Sequence, residues 1–211
     1  MENPKVAVVL STYNGEKYVK EQIESILNQT YPNIEIYVRD DGSKDGTVNI
    51  LKDYEKQGKI KLYPSKNVGF IKSFFECLSF CDDADYYAFC DQDDEWFEEK
   101  IQRAVDMLKE KDKNKPLLYF ADYDYYDENM NFIAHSKSHK NGPSFRNAIV
   151  DCITLGINTV INKTTRDIMV NSGIEKSCGH DWTAYMICSG MGEVIYDKVP
   201  TLKYRRTGKN V

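Results

Sequence analysis

Apolar positions in the first half of the chain recur at two periods, and the switches between them mark out the elements. Val6-Ala7-Val8-Val9-Leu10 is unbroken and ends in Ser11-Thr12-Tyr13-Asn14-Gly15, the pattern of a buried strand followed by a turn. Val19, Ile23, Ile26 and Leu27 then share one helical face. After Pro32, Ile34-Glu35-Ile36-Tyr37-Val38 predicts a second strand running into Arg39-Asp40-Asp41-Gly42-Ser43. Ile50, Leu51 and Tyr54 predict a second helix ending near Gly58, and Ile60 to Tyr63 a third strand. Phe70, Phe74, Phe75 and Leu78 place a third helix with one apolar face. Tyr86 to Cys90 predicts a fourth strand, and a helix beginning near Glu95 carries Phe97, Ile101, Val105 and Leu108.

Four alternations of strand and helix predict an α/β fold with a mainly parallel sheet covered on both faces. In such sheets ligands bind beyond the carboxyl ends of the strands. The polar clusters Ser11 to Asn14, Asp40 to Ser43 and Asp91 to Asp94 follow strands 1, 2 and 4, so they are expected to converge on one crevice. Beyond Lys111 the pattern loosens. Leu117 to Ala121 reads as a strand, Asp127-Glu128-Asn129 as a turn before Phe132-Ile133-Ala134, and His135 to Pro143 as a polar loop. Thr159 to Ile161 is strand-like, Thr164 to Val170 and Asp181 to Ser189 are helix-like, and Glu193 to Tyr196 and Thr201 to Tyr204 read as closing strands. A single domain is expected over residues 1–211, its second half, residues 111–211, more irregular than residues 1–110.

Composition narrows the classes. Hydrophobic residues make up 41% and charged residues 29% of 211, enough for a sizeable core. The net charge of −5 lacks the basic footprint of a nucleic-acid binder. No apolar run is long enough to cross a bilayer and Met1 to Lys5 has no signal-peptide pattern, so any membrane association is expected to be peripheral or to come from a part of the protein outside this sequence. Six cysteines without a CxxC pair, several inside apolar segments, read as reduced core thiols of a cytoplasmic protein. Three scattered histidines do not make a zinc site.

Each polar cluster alone has an ordinary structural reading. Asp93 or Asp94 suits the cap of the helix expected near Glu95, Asp41-Gly42-Ser43 suits a turn, and Asp181 suits an N-cap. Their joint placement points further. A hard divalent cation, Mg²⁺ or Mn²⁺, is held by one or two carboxylates plus substrate phosphates, which suits Asp91 and Asp93 at a strand end. Competing motifs fail. There is no GxxxxGK(S/T), no GxGxxG after strand 1, and Trp96 stands where an EF-hand loop needs glycine.

The segment VVLSTYNGEKYVKEQIESILNQTYPNIEIYVRDDGSKDGT resembles the start of family 2 glycosyltransferases, which have the GT-A fold, and DQDD resembles that family's DxD motif. NVGFIKSFFECL, GHDW and YRRTG look most like bacterial rhamnosyltransferase-type members. The resemblance implies an inverting, metal-dependent enzyme, with residues 1–110 as its nucleotide-sugar-binding half and 111–211 as its acceptor-side half. Thr12, Tyr13 and Asp41 match base-contacting positions, with Ser11, Asn14, Glu16, Asp40 and Gln92 in the same nucleotide-binding set. Asp91 matches the carboxylate near the ribose, Asp93 the metal-facing carboxylate, with Asp94 as a substitute ligand. Asp181 matches the catalytic base, and Tyr204, Arg205 and Arg206 a closing segment near the diphosphate. An inverting transfer needs one base to take the acceptor's proton, and a carboxylate between His180 and Trp182 at a helix start suits that task.

Donor and acceptor follow only from the resemblance. dTDP-rhamnose is the first choice and UDP-sugars remain open. The acceptor is expected to be a cell-surface polysaccharide or a lipid-linked sugar at the inner face of the plasma membrane. A catalytically silent nucleotide-sugar-binding module is the alternative, with a sugar-nucleotide pyrophosphorylase behind it because Ser11 to Gly15 lacks a basic, glycine-rich loop. The chain stops at Val211, just after YRRTG, where members of this group run on, so either a compact member or a trimmed domain is expected. Oligomeric state stays open.

Overall fold

Val6, Val8 and Leu10 pack into one hydrophobic cluster while Ala7 and Val9 pack into another, and all five are fully buried. That alternation makes β1 (Val6–Thr12) a central strand covered on both faces. The computed structural model describes residues 3–172 and 179–207. On one side α1 (Val19–Leu27) buries Val19, Ile23 and Ile26 against the sheet. Next come β2 (Ile34–Asp40), α2 (Thr47–Lys56) and β3 (Lys61–Pro64). On the opposite side α3 (Phe70–Phe80) presses Phe74, Cys77 and Leu78 onto Ala7, Val9 and Phe89. The Phe89 strand is β4 (Tyr86–Cys90), buried throughout. Burying each such aliphatic or aromatic side chain contributes roughly 1.5–3 kcal/mol, so this two-sided packing dominates the fold.

The chain continues through β5 (Glu95–Trp96), α4 (Lys100–Leu108), β6 (Leu117–Ala121), β7 (Asp124–Tyr126), β8 (Phe132–His135) and the short α5 (Phe145–Ala148). It ends with β9 (Thr159–Asn162), α6 (Lys163–Asn171), α7 (His180–Met191), β10 (Glu193–Asp197) and β11 (Leu202–Arg205). Seven strands form the central sheet in the order β10-β6-β9-β4-β1-β2-β3. All neighbours are parallel except β9, which runs antiparallel to both β4 and β6. A smaller sheet, β5-β11-β7-β8, closes over the carboxyl end. Leu117, Tyr119, Val160, Ile195 and Leu202 join the same buried cluster as Val6 and Leu10, so both halves share one core.

Two expectations change, and the two closing strands form as expected but in different sheets. The segment after Asp94 is a strand, not a helix: Glu95 and Trp96 pair with Lys203 and Leu202, and α4 begins only at Lys100. Phe70 is 56% exposed, off the buried face of α3. The two closing strands separate, β10 extending the central sheet and β11 the small one. Among the described residues no helix is long and apolar enough to cross a membrane. Cys77, Cys81, Cys90 and Cys188 are free thiols, while Cys178, Gly208 and the chain end at Val211 lie outside the described residues.

Candidate active site

The loops at the carboxyl ends of β1 and β2 are tied together before any of them faces a ligand. Thr12 Oγ1 donates to Asp40 Oδ2 (3.0 Å), and the Asp41 N–H donates to the Thr12 carbonyl (2.8 Å). Asp40 Oδ1 accepts from the backbone N–H of Gly42 (3.1 Å) and Ser43 (2.9 Å), shaping a turn in which Gly42 takes φ +82°. Asn14 Oδ1 accepts from Lys44 N–H and Glu16 Oε2 from Gly46 N–H, both at 2.9 Å. Asp40, Asn14 and Glu16 therefore build the wall and do not line the cavity it bounds.

Asp41 does line it. Its Oδ1 accepts from the Arg39 guanidinium (2.6 Å) and from Val68 N–H (2.8 Å), and its Oδ2 accepts from Gly69 N–H (3.1 Å). The carboxylate thus sits at the start of α3, where free backbone donors and the helix dipole favour negative charge. Arg39 is fully buried and also pairs with Glu76 (2.6 Å), so its charge is compensated on two sides.

Gln92 grips β1's loop from β4: its Oε1 accepts from Tyr13 N–H (2.9 Å) and its Nε2 donates to the Tyr13 carbonyl (3.0 Å). Gly15 lies against that amide, and a Cβ there would sit 2.2 Å from Gln92 Oε1. Asp91 and Asp93 face the same cavity. Burial, then the charges of Asp93 and Asp181, raise the Asp91 carboxyl to about 7. Burial also raises Asp93, against the opposing pull of Arg205. Neither has an ion pair among the described residues.

Asp94 is not the cap of α4, whose N-cap is Glu99, and it is not among the residues lining the cavity. It is 1% exposed, caps no helix, and accepts from the backbone N–H of Arg205 (3.0 Å), while its Oδ2 has no hydrogen-bond partner among the described residues. Burial and then Asp91 and Asp93 push it well above the usual carboxylate range. Lys100 is buried nearby, donating to the Ile157 carbonyl (3.1 Å) with Nζ 4.9 Å from the Trp96 ring centre. Burial lowers Lys100 to about 7, with Cys90 and Asp94 pulling the other way. Arg205 stands behind the cavity wall, not in it, donating to the carbonyls of Asp93 (2.9 Å) and Glu128 (3.2 Å) and pairing with Glu21. From the same strand Tyr204 lines the cavity, and the Arg206 guanidinium lies 5.5 Å from the Tyr125 ring centre.

The opposite wall comes from the start of α7 and the single helical turn Gly156–Asn158. Asp181 Oδ2 accepts from Gly156 N–H (3.2 Å) and Oδ1 from Trp182 N–H (2.8 Å), which fixes the carboxylate plane. His180 is 4% exposed, stacked 4.0 Å from the Phe74 ring centre and 4.6 Å from Phe89. Neither ring nitrogen has a partner among the described residues. Burial lowers the imidazole to about 4, with Asp181 opposing, so at neutral pH it is uncharged.

Ser11, Thr12, Tyr13, Asp41, Asp91 to Asp93, Asp181 and Tyr204 thus share one cavity of about 700 Å³, a size that accommodates a nucleotide sugar. Sequence reading missed the Leu155 to Ile157 wall, Phe74 and His180 as lining groups. Leu155-Gly156-Ile157 has no motif, although Gly156 carries a signal: a Cβ there would lie 2.3 Å from His180 Nε2. Among the described residues no group of three or more His, Cys, Asp or Glu side chains is arranged to enclose a metal ion.

With that geometry in hand, comparison with known proteins is informative. The family model described as "Glycosyl transferase family 2" matches residues 7–171. A curated relative, the dTDP-rhamnosyl transferase RfbG of Shigella flexneri, is 30% identical over 95% of this chain and 72% of its own length. The solved structure of residues 1–349 of Staphylococcus aureus TarS in complex with UDP-GlcNAc superposes with a TM-score of 0.69 at 21% identity, over 96% of this chain and 58% of that one. The mannosyltransferase PcManGT of Pyrobaculum calidifontis, in complex with GDP-Man and Mn²⁺, gives 0.68 at 18% identity, over 95% of this chain and 56% of that one. The chain therefore spans little more than half of these solved chains.

Proposed function

The chain belongs to glycosyl transferase family 2 and has the GT-A fold, and from that premise we propose that it is an inverting, metal-dependent transferase of a sugar from a nucleotide diphosphate. The observation that carries this reading is the meeting, in one cavity, of Asp41 after β2, Asp91 and Asp93 after β4, and Asp181 at the start of α7. The first three suit a donor and the last an acceptor.

In this reading Thr12, Tyr13 and Asp41 hold the base, Asp91 the ribose side, and Asp93 with Asp91 a divalent cation. The donor set fits such an ion. Two neighbouring carboxylates, Asp91 and Asp93, face the cavity with no ion pair among the described residues, and diphosphate oxygens would complete the shell. Mn²⁺ or Mg²⁺, when bound, supplies positive charge to the departing diphosphate. The acceptor hydroxyl oxygen attacks the anomeric carbon, its proton passes to the Asp181 carboxylate, and the carbon–oxygen bond to the diphosphate breaks with its electron pair leaving on the nucleotide diphosphate. The backbone donors of Gly156 and Trp182 hold Asp181 for this, and neutral His180 beside it adds no cation that would weaken the base.

A dTDP-rhamnose donor is supported by the name of the Shigella relative and a UDP-sugar by the TarS complex. A cell-surface polysaccharide or lipid-linked acceptor at the cytoplasmic membrane face completes the proposal. The test is a thermal-shift panel of dTDP- and UDP-sugars with and without Mn²⁺. One donor should stabilise the protein, more strongly with Mn²⁺, and Asp181→Asn should keep that shift while losing transfer. Equal donor affinity with and without Mn²⁺ removes the metal from the proposal, and ordinary turnover by the Asn variant removes Asp181.

A further inference from the structure

From Asn129 to Val150 the chain has no Asp or Glu, in a protein whose net charge is −5. The same stretch carries Lys137, Lys140 and Arg146, all exposed and without an ion pair among the described residues. Beside these cations α5 and its C-terminal turn leave Phe145 50%, Ile149 60% and Val150 74% exposed. Phe145 and Ile149 are four residues apart and so share a helix face, while Ala148 alone turns inward and is fully buried. Phe145 packs over Gly190, next to Met191, which is 68% exposed.

α5 lies along α7, with Phe145 near the helix end away from the cavity and Ala148 near the end beside it. The Ala148 carbonyl accepts from Trp182 Nε1 (2.7 Å), and both Trp182 and Cys152 line the cavity. An apolar strip with Arg146 on its own turn and Lys140 just before it therefore runs to the rim of the site on the Asp181 side, where the exposed Asp151 is its one acidic residue.

We propose that this strip docks the protein on an anionic lipid surface, presenting the Asp181 side of the cavity to acceptors held there. Magnitude decides between occupants. A stable protein–protein interface takes roughly 800 Å² from each partner, more than four side chains provide. Interfacial lipid binding needs only apolar groups able to enter the headgroup boundary with cations beside them. The proposal rests on the transferase reading only for what the docked cavity does.

The test is co-sedimentation of the 211-residue protein with vesicles of phosphatidylcholine alone or with about 30% phosphatidylglycerol. Binding should appear only with the anionic vesicles and weaken on raising the salt. Lys140→Glu with Arg146→Glu should reduce it about ten-fold or more. Ser at Phe145, Ile149 and Val150 together should abolish it, whereas Val199→Ser, at an exposed apolar position elsewhere, should not change it. Circular dichroism confirms that each variant is folded.

Absence of anionic preference, or wild-type binding by both variants, overturns the proposal. So does a dimer in sedimentation equilibrium that the triple variant makes monomeric, because the strip is then a contact between copies. Nucleotide binding by calorimetry is read separately: lipid binding without nucleotide binding counts against the transferase reading alone, and the converse against docking alone.

Discussion

His180 has been left by folding without a charge and without a hydrogen-bond partner among the described residues, and this has a measurable sign. The unfolded imidazole titrates near 6.5 and the folded one near 4, lowered by burial. Below pH 6.5 the unfolded chain therefore binds a proton that the folded chain refuses. The contribution to stability is full above pH 6.5 and is lost as pH falls toward 4, up to about 3 kcal/mol. Asp91 acts in the opposite sense, because its raised carboxyl holds a proton in the fold from about 4 to 7 that the unfolded chain releases. Urea denaturation of His180→Phe and wild type across pH 4 to 7 separates the two. The variant should lose less stability on acidification, and parallel curves would show that the imidazole titrates in the fold as it does in the unfolded chain. At Gly15 the expected effect is functional. An added Cβ meets only the tip of the Gln92 side chain, which can swing away, but it then releases Tyr13. Gly15→Ala should change stability by less than about 1 kcal/mol while weakening nucleotide binding severalfold, as calorimetry would read.

At the scale of elements, the join between α7 and β10 tolerates no side chain. A Cβ on Gly192 would lie 1.8 Å from the Pro116 carbonyl oxygen, and that carbonyl accepts from Glu193 N–H where β10 meets β6. Backbone cannot move aside as Gln92 can, so Gly192→Ala should cost more than about 3 kcal/mol in urea denaturation. The first four strand–helix units were legible in the sequence because each buries its own periodic face against the sheet. β5 was not, since Glu95 and Trp96 are drawn into a strand by Lys203 and Leu202, a pairing that no local pattern encodes. Its loss as a helix start also moved Asp94 from cap to backbone acceptor. The convergence of Asp41, Asp91 and Asp93 followed from strand ends alone. The Leu155 to Ile157 wall did not, because it is set by antiparallel β9 entering the sheet from the second half.

Across the whole molecule, Arg205 joins parts that sequence separates widely. Its guanidinium pairs with Glu21 on α1, donates to the Asp93 carbonyl in the β4–β5 loop and to the Glu128 carbonyl between β7 and β8, and lies 4.5 Å from the Tyr18 ring centre. Though 2% exposed, it does not line the cavity, so its effect on a donor would pass through the Asp93 loop. Glu21 is largely exposed, and that ion pair is accordingly screened. The two part-buried carbonyls matter more, since each loses a charged donor, at a cost of up to about 1–3 kcal/mol. Arg205→Met keeps much of the apolar stem and removes the donors. It should lower stability by about 2–4 kcal/mol and weaken Mn²⁺-dependent donor binding, while leaving Mn²⁺-independent nucleotide binding close to wild type. Calorimetry with dTDP and UDP, with and without Mn²⁺, reads both quantities. Equal loss of both kinds of binding would place Arg205 in direct contact with the nucleotide. Loss of neither would mean that β5 and β11 hold the Asp93 loop without it.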